Sequence, residues 1–249
     1  MKIKRGSVTP VDLTGQADGD LMQRDGGVWV PRDTMGLMPV IADSMAVFDI
    51  LTFNLFSSNT TESGSTNSSN SATYYAQAST GITAGSRGLL YSLYRSGLLS
   101  GWNDAGVDFD KPIVVSMSFG LAANTTNGEC GVALGGFNAG EIGSWMVRGG
   151  IGCLVKNNQL YFQYHNGATK TEVDSGVTLN TTTKHRLTIS HHPGSKIDYY
   201  LNGVLAHTGT TNIPSGFSES YLFGLIATNG ADTADQSMRV VRYVVYSGV

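Results

Sequence analysis

A regular series of short segments in the second half of the chain constrains the fold more than any other feature of the sequence. After Asp110, stretches in which apolar and polar residues alternate are separated by turns rich in Gly, Pro and Asn. Such a series, with almost no helical periodicity, predicts an all-β sandwich or jelly roll. The predicted strands are residues 112–121, 130–136, 145–147, 152–155, 159–164, 185–191, 196–201, 204–207, 221–227 and 238–246.

Two turns indicate which neighbouring strands pair. Residues 156–158, Lys-Asn-Asn, join 152–155 to 159–164 in a predicted hairpin, because Asn tolerates the positive φ that such turns require. Asn202-Gly203 is the tightest hairpin signal in the chain. Both turns favour antiparallel pairing.

The first 40 residues carry no extended apolar pattern, whereas a dense apolar run follows at 40–56 and suits a buried strand. We therefore predict an attachment or oligomerisation segment at 1–40 and a β-sandwich at 41–249. Residues 57–73 are almost entirely Ser, Thr, Asn and Gly, which predicts an exposed, mobile loop. Residues 88–99 fit either a short helix or an irregular pair of strands.

Residues 183–209 contain the run Tyr-Tyr-Leu-Asn-Gly-Val-Leu, and residues 238–248 form a closing apolar strand. Both segments resemble parts of the concanavalin-A-like lectin/glucanase domains, which include laminin-G-like modules. The resemblance implies a concanavalin-like jelly-roll sandwich in which one concave sheet often binds glycans. The residues agree with such a fold, because alternation gives the strands one apolar face, made of Ile189, Ile197, Tyr199 and Leu201.

Residues 17–31 form a second distinctive motif, Ala-Asp-Gly-Asp-Leu-Met-Gln-Arg-Asp-Gly-Gly-Val-Trp-Val-Pro. The motif predicts two very short strands, 21–24 and 28–30, joined by a turn at 25–27. A two-stranded ribbon buries too little apolar surface to offset the entropy of ordering it. We therefore expect the hairpin to pack between subunits through its sizeable apolar side chains, which are Leu21, Val28, Trp29 and Val30.

The same residues resemble hairpins near the N-termini of many tailed-phage virion proteins, such as fibres, head appendages and receptor-binding proteins. The resemblance implies a homo-oligomer, with a trimer as the expected form, that contacts other virion proteins. Lys2, Lys4 and Arg5 form a small basic cluster before the hairpin. This cluster is either a solvated terminus or a peg that docks onto an acidic surface.

Composition narrows the class of partner. The formal net charge is -3 and charged residues are 14% of the chain, against about 25% in average domains, so nucleic acid is not an expected partner. The sequence has no apolar run of export-signal length behind its basic start and none of the roughly 18 residues of a membrane span. We expect synthesis in the host cytoplasm, localisation in the virion, and Cys130 and Cys153 as buried free thiols rather than a disulfide.

No catalytic motif is found in the sequence. The retaining glucanases of the resembled superfamily carry a Glu-x-Asp-x-x-Glu strand, which does not occur here. Glu129 and Glu141 are isolated, and Glu172 and Asp174 lie in what reads as a surface hairpin. Gly-x-Ser-x-Gly and phosphate-binding loops are also missing, so we predict that the protein is not an enzyme.

Metal and cofactor binding are not predicted. The five histidines show no ligand spacing, and the adjacent His191 and His192 are expected on opposite faces of a strand. Asp232 and Asp235 offer two carboxylates to Ca²⁺, an ion that several laminin-G-like domains bind. A plain turn is the favoured interpretation of that loop.

Aromatic side chains are the candidates for stacking on sugar rings. Trp102, in an apparent loop, and Tyr94 are the candidate glycan contacts, whereas Trp145 and Tyr161 are interpreted as core residues. Our leading hypothesis is a non-enzymatic structural protein of a phage virion, an exposed fibre, appendage or decoration that binds host-surface glycans. The alternative is a carbohydrate-binding module that acts through its own glycan contacts.

Overall fold

The structure, a computed structural model, describes residues 21–25, 28–32, 45–49, 56–57, 66–70, 75–82, 84–92, 106–123, 127–137, 146–219, 223–230 and 233–248. Every regular element within these ranges is a β-strand. The chain divides into two compact units, Met1–Asp43 and Ser44–Val249. A search of the same ranges finds no helix with the length and apolar character of a membrane span.

The first unit contains the predicted hairpin. Strand β1 (Leu21–Asp25) pairs antiparallel with β2 (Val28–Arg32). Both strands are slightly longer than the sequence predicts, because the pairing continues to the ends of the hairpin, where Leu21 lies opposite Arg32. The candidate interface residues all belong to these strands, and their interface role stays a prediction: Leu21, Val28, Trp29 and Val30.

The strands of the second unit form two large antiparallel sheets and one small sheet. In chain order these strands are β3 (Met45–Asp49), β4 (Phe56–Ser57), β5 (Thr66–Asn70), β6 (Tyr75–Ser79), β7 (Arg87–Ser92), β8 (Gly106–Asp108), β9 (Ile113–Ala123), β10 (Glu129–Phe137), β11 (Met146–Lys156), β12 (Gln159–His165), β13 (Lys170–Thr178), β14 (His185–His192), β15 (Lys196–Leu201), β16 (Val204–Gly209), β17 (Phe217–Glu219), β18 (Phe223–Thr228) and β19 (Ser237–Gly248).

The order of strands in the seven-stranded sheet is β13-β12-β11-β10-β18-β7-β4. The eight-stranded sheet has the order β16-β15-β14-β9-β19-β6-β5, and β3 also pairs with β19. Strands β8 and β17 pair with each other as a separate ribbon. Neighbours in the large sheets are often far apart in sequence, so most of the pairing is non-local.

The two large sheets pack face to face around one hydrophobic core. The apolar face predicted for β14 and β15 is confirmed, since Ile189, Ile197 and Tyr199 are fully buried in that core. The Tyr199 hydroxyl donates a hydrogen bond of 2.6 Å to the carbonyl oxygen of Gln163 in the other sheet, and its ring stacks on Phe162. This side chain therefore ties the two layers of the sandwich together, and the predicted all-β jelly roll is confirmed.

Both predicted hairpin turns are confirmed. Asn157 and Asn158 have φ values of 49° and 63° in the turn between β11 and β12. Asn202 and Gly203 have φ values of 53° and 85° in the turn between β15 and β16. Two consecutive residues of positive φ match the right-handed twist of the flanking strands.

Three segments differ from the sequence prediction. The polar segment 57–73 contains a strand, β5, because the backbone hydrogen bonds of a terminal strand do not require apolar side chains. Residues 146–147 and 152–155 belong to one long strand, β11, which runs through its glycines, whereas Trp145 lies outside the described residues. The part of 88–99 that the structure describes is strand β7, so a helix there is wrong.

Candidate functional site

Polar side chains gather on the outer face of the seven-stranded sheet, near β13. Because Leu160 and Phe162 of β12 point into the core, Tyr161 and Gln163 point outward. Gln163 lies opposite Glu172 in the register of β12 and β13. Two neighbouring strands thus bring an amide and a carboxylate together on one surface.

Glu172 is the centre of a hydrogen-bonded network. Its Oε2 accepts a hydrogen bond of 2.6 Å from Nε2 of Gln163, and its Oε1 accepts one from Nζ of Lys156. Nζ of Lys170 lies 3.6 Å from Oε2. Burial raises the pKa of the Glu172 carboxyl, but the hydrogen bonds from Lys156 and Gln163 outweigh it and hold that pKa below its ordinary value. The carboxylate is therefore ionised and fixed in position.

Tyr161 adds an aromatic surface to this network. Nζ of Lys156 lies 5.1 Å from the centroid of the Tyr161 ring, within the range of a cation–π interaction. Tyr161 is half-buried and packs against a small apolar cluster on the outer face that includes Leu154. Tyr161, interpreted from the sequence as a core residue, packs against this smaller apolar cluster and not within the main core, and its side chain is partly exposed. We call the set Lys156, Tyr161, Gln163, Lys170 and Glu172 the Glu172 patch.

Two buried oxygen atoms without a hydrogen-bond partner lie in or beside the Glu172 patch. Glu129 lies opposite Lys156, and Thr228 lies opposite Glu129 on the next strand. Burial raises the pKa of Glu129, although the Lys156 charge opposes this shift. Within the described residues, Oγ1 of Thr228 and Oε1 of Gln163 are buried without a hydrogen-bond partner. Buried side-chain oxygen atoms normally have a hydrogen-bond partner.

The chemistry of the Glu172 patch suits a polyhydroxylated ligand. A sugar hydroxyl both donates and accepts hydrogen bonds. The partly exposed Glu172 carboxylate can accept such bonds and the ammonium groups of Lys156 and Lys170 can donate them, while the fully buried Gln163 holds Glu172 in place. A flat aromatic ring offers the apolar surface on which a sugar ring stacks. Among the residues that the structure describes, no three His, Cys, Asp or Glu side chains are grouped in a way that would hold a metal ion.

A second polar cluster lies on the outer face of the eight-stranded sheet. Asp198 is buried there, with Oδ1 2.6 Å from Oγ1 of Thr208 and Oδ2 2.7 Å from Nζ of Lys196. Nε2 of His192 lies 3.1 Å from Oγ of Ser190 and 3.7 Å from Oδ2 of Asp198. In a nucleophilic triad the acid binds the other imidazole nitrogen, so this geometry differs from a triad.

The residues that the sequence singled out for glycan and calcium binding are only partly described. Trp102, Tyr94 and Asp232 lie outside the described residues, so their roles stay predictions. Oδ1 of Asp235 accepts hydrogen bonds from the Ser79 hydroxyl at 2.6 Å and from the N–H of residue 81 at 2.9 Å. Asp235 thus links the end of β6 to the segment before β19.

The adjacent histidines point to opposite sides of β14, as predicted. His191 is fully buried, with Nε2 2.9 Å from the carbonyl oxygen of Pro214, whereas His192 contacts the outer cluster. The two cysteines lie on the neighbouring strands β10 and β11, and both are buried free thiols. Burial raises the pKa of both thiols, that of Cys153 to about 12.

Sequence reasoning did not find the Glu172 patch, although one signal was present. Strand β12 reads Gln-Leu-Tyr-Phe-Gln-Tyr-His, in which every second residue is a hydrogen-bonding group on the outer face. Glu172 lies, as expected, in a hairpin at the edge of the sheet, which strands β12 and β13 form. Its contacts with Gln163 and Lys156 depend on a register that one strand alone does not reveal.

Comparison with known proteins establishes the fold. No protein-family model and no curated protein matches the chain. Among solved structures, the carbohydrate recognition domain of Emp47p matches with a TM-score of 0.51 and 14% identity, over 79% of this chain and 89% of that chain. A glycosidic hydrolase in its native form matches with a TM-score of 0.51 and 14% identity, over 83% and 96% of the two chains. The endo-β-1,4-glucuronan lyase of the fungus Trichoderma reesei matches with a TM-score of 0.50 and 12% identity, over 76% and 89%.

These matches define a class of fold, the concanavalin-like jelly roll that the sequence predicted. At sequence identities of 12% to 14%, these matches establish the fold and not the function. This chain also spans only 48% of the botulinum neurotoxin type C chain that it matches. Because the same fold occurs in a carbohydrate recognition domain and in polysaccharide-degrading enzymes, function has to be argued from the site.

Proposed function

We propose that this protein binds glycans through the Glu172 patch and catalyses no reaction on them. The observation that carries the proposal is an ionised carboxylate held by Lys156 and Gln163 beside a half-buried Tyr161 ring. Groups already fixed on a sheet lose little freedom when a ligand binds, which favours affinity. The carbohydrate recognition domain of Emp47p, which has the same fold, supports the ligand class.

The substitution Glu172→Gln tests the proposal. It keeps the size of the side chain but removes the charge that holds Lys156 and Gln163. We expect the wild-type protein to bind ligands on a glycan array, and we expect Glu172→Gln to weaken the best of these by about tenfold, because hydrogen bonds to charged groups contribute about 1.5–3 kcal/mol. Titration calorimetry with the selected glycan measures the loss.

Asp174→Asn is the matched control, since Asp174 is an exposed carboxylate on the same strand whose Oδ1 accepts a hydrogen bond from Gln159. Its affinity should stay within about twofold of wild type, as is usual for exposed pairs. Trp102→Ala in the same assay tests the contact predicted from sequence. A broad array without any bound glycan, or equal losses in Glu172→Gln and Asp174→Asn, would overturn the Glu172 patch as the site.

We further propose that the jelly roll is displayed on a tailed-phage virion as a fibre, appendage or decoration, in a homo-oligomer such as a trimer. The support is the resemblance of residues 17–31 to virion hairpins, together with a first unit whose described strands form a hairpin. Mass spectrometry of purified particles should detect the chain. Absence from particles together with a monomeric mass in light scattering would contradict this role and leave the alternative, a free carbohydrate-binding module.

A further inference from the structure

Cations that are distant in sequence meet on the outer face of the eight-stranded sheet. Met117 and Phe119 of β9 point into the core. Because side chains alternate along a strand, Ser118 and Gly120 face outward. Strands β14 and β19 flank β9 on its two sides. The cross-strand pairs here are Arg186 with Ser118 and Arg239 with Gly120.

Lys184 adds a further cation to this surface. A Cβ atom placed on Gly120 would lie 3.8 Å from Cγ of Lys184, so the lysine stem runs over the glycine. Lys184 and Arg186 are exposed, and neither forms an ion pair with any described residue. Arg239 is also exposed, and its Nε donates a hydrogen bond of 2.6 Å to Oε1 of Gln77. We call Ser118, Gly120, Lys184, Arg186 and Arg239 the β9 trough.

The dimensions and charge of the β9 trough suit a linear anionic chain. Strands in a sheet lie about 4.8 Å apart, so β14 and β19 run roughly 10 Å apart on the two sides of β9, and their cations border the small residues Ser118 and Gly120. The buried carboxylate on the same sheet, Asp198, is already paired with Lys196. Three exposed cations, Lys184, Arg186 and Arg239, give the trough a positive charge in a chain whose formal net charge is -3.

We propose that the β9 trough binds a polysaccharide with repeated anionic groups, such as sulfate, phosphate or carboxylate. Exposed guanidinium groups form paired hydrogen bonds with such anions. A polysaccharide is favoured over nucleic acid because the floor is Ser118 and Gly120, which offer no aromatic ring for a base to stack on. The proposal is independent of the Glu172 patch, which lies on the other sheet.

Dextran sulfate and neutral dextran are the probes for this surface. We expect the whole chain to bind dextran sulfate, and we expect Arg186→Gln and Arg239→Gln each to weaken binding by about two- to fivefold, as for exposed charge pairs. The slope of log Kd against log salt concentration should fall by about one for each contacting cation removed. Arg148→Gln, which removes an exposed arginine from the seven-stranded sheet, is the matched control and should bind like wild type.

Three outcomes would overturn the proposal. The first is no binding of dextran sulfate beyond that of neutral dextran. The second is an equal loss in Arg148→Gln, which would indicate attraction to total charge rather than to the β9 trough. The third is that single-stranded DNA binds more tightly than dextran sulfate and that Arg186→Gln and Arg239→Gln weaken this binding. The ligand would then be nucleic acid. None of these outcomes depends on whether Glu172→Gln still binds glycans. The proposal for the β9 trough and the proposal for the Glu172 patch can therefore fail separately.

Discussion

At the scale of single residues, His191 couples the fold to pH. Its side chain is fully buried, its Nε2 lies 2.9 Å from the carbonyl oxygen of Pro214, and its ring meets Phe109 edge-on at 5.4 Å. Burial lowers the pKa of His191, and this effect outweighs the backbone hydrogen bonds that raise it. The folded protein therefore resists protonation of a group that protonates readily in the unfolded chain.

We predict that the free energy of unfolding falls as the pH falls below about 6.5, the ordinary pKa of histidine. In that range the unfolded chain binds a proton that the folded state excludes, so acid favours unfolding. His191→Gln keeps a donor for the Pro214 carbonyl but does not titrate. Its loss of stability between about pH 7.5 and about pH 5.5 should be smaller than that of wild type in urea titrations.

Other histidines keep part of the pH dependence in that variant, because burial lowers their pKa values as well: His165, His185, His192 and His207. His185→Gln is the control, since His185 is only half-buried. It should change the pH dependence less than His191→Gln does. If the stability of His191→Gln depended on pH as strongly as that of wild type, the burial of His191 would not be a cause of the acid sensitivity.

At the scale of elements, the turn between β15 and β16 holds one edge of the eight-stranded sheet. Asn202 and Gly203 both have positive φ, and Oδ1 of Asn202 accepts a hydrogen bond of 2.9 Å from the N–H of Arg186. The Asn202 N–H donates a hydrogen bond of 2.7 Å to the Arg186 carbonyl oxygen. The turn is thereby fastened to β14, next to the β9 trough.

We predict that Gly203→Ala destabilises the fold by about 1–2 kcal/mol, the cost of holding an L-residue in the left-handed region. A methyl group at Gly203 would meet no atom within 4 Å, so the cost is that of the backbone alone. Guanidinium denaturation measures the change. Thr181→Ala, at an exposed loop position, is the control and should stay within about 0.5 kcal/mol of wild type.

At the scale of the whole molecule, the chain consists of a small first unit and a large β-sandwich. The described part of the first unit is a hairpin with strands of five residues each. An isolated ribbon of this size is marginally stable in water. Assembly between subunits is the role that we predict for it.

We predict that Trp29→Ala abolishes oligomer formation and incorporation into particles while the jelly roll stays folded, because a tryptophan supplies much of the apolar surface of so small an element. Light scattering measures the oligomeric mass, and near-ultraviolet circular dichroism reports the packing of the sandwich. Ile82→Ala is the control, since Ile82 is an exposed apolar residue of the second unit. An intact oligomer in Trp29→Ala would show that the hairpin does not form the interface.

Much of the fold could be predicted because its signals are local. The apolar alternation of Ile197 and Tyr199 and the Asn202-Gly203 turn each act over a few residues, and the structure agrees with both. The sequence does not predict the polar strand β5, and it indicates β13 only as part of a surface hairpin, since pairing with a neighbour defines these strands and their side chains do not. The long strand β11 was divided because its glycines read as interruptions.

The amino-acid sequence by itself determined that this protein is an all-β jelly roll with hairpins at defined turns, because alternation and positive φ depend on near neighbours. Only the tertiary structure decided which side chains share a surface. Glu172 meets Lys156 across β12, and Arg186 and Arg239 lie on the two strands that flank β9, through pairings of strands that are separate in the chain. Both candidate binding surfaces arise from register between strands, and the pattern within one strand does not specify that register.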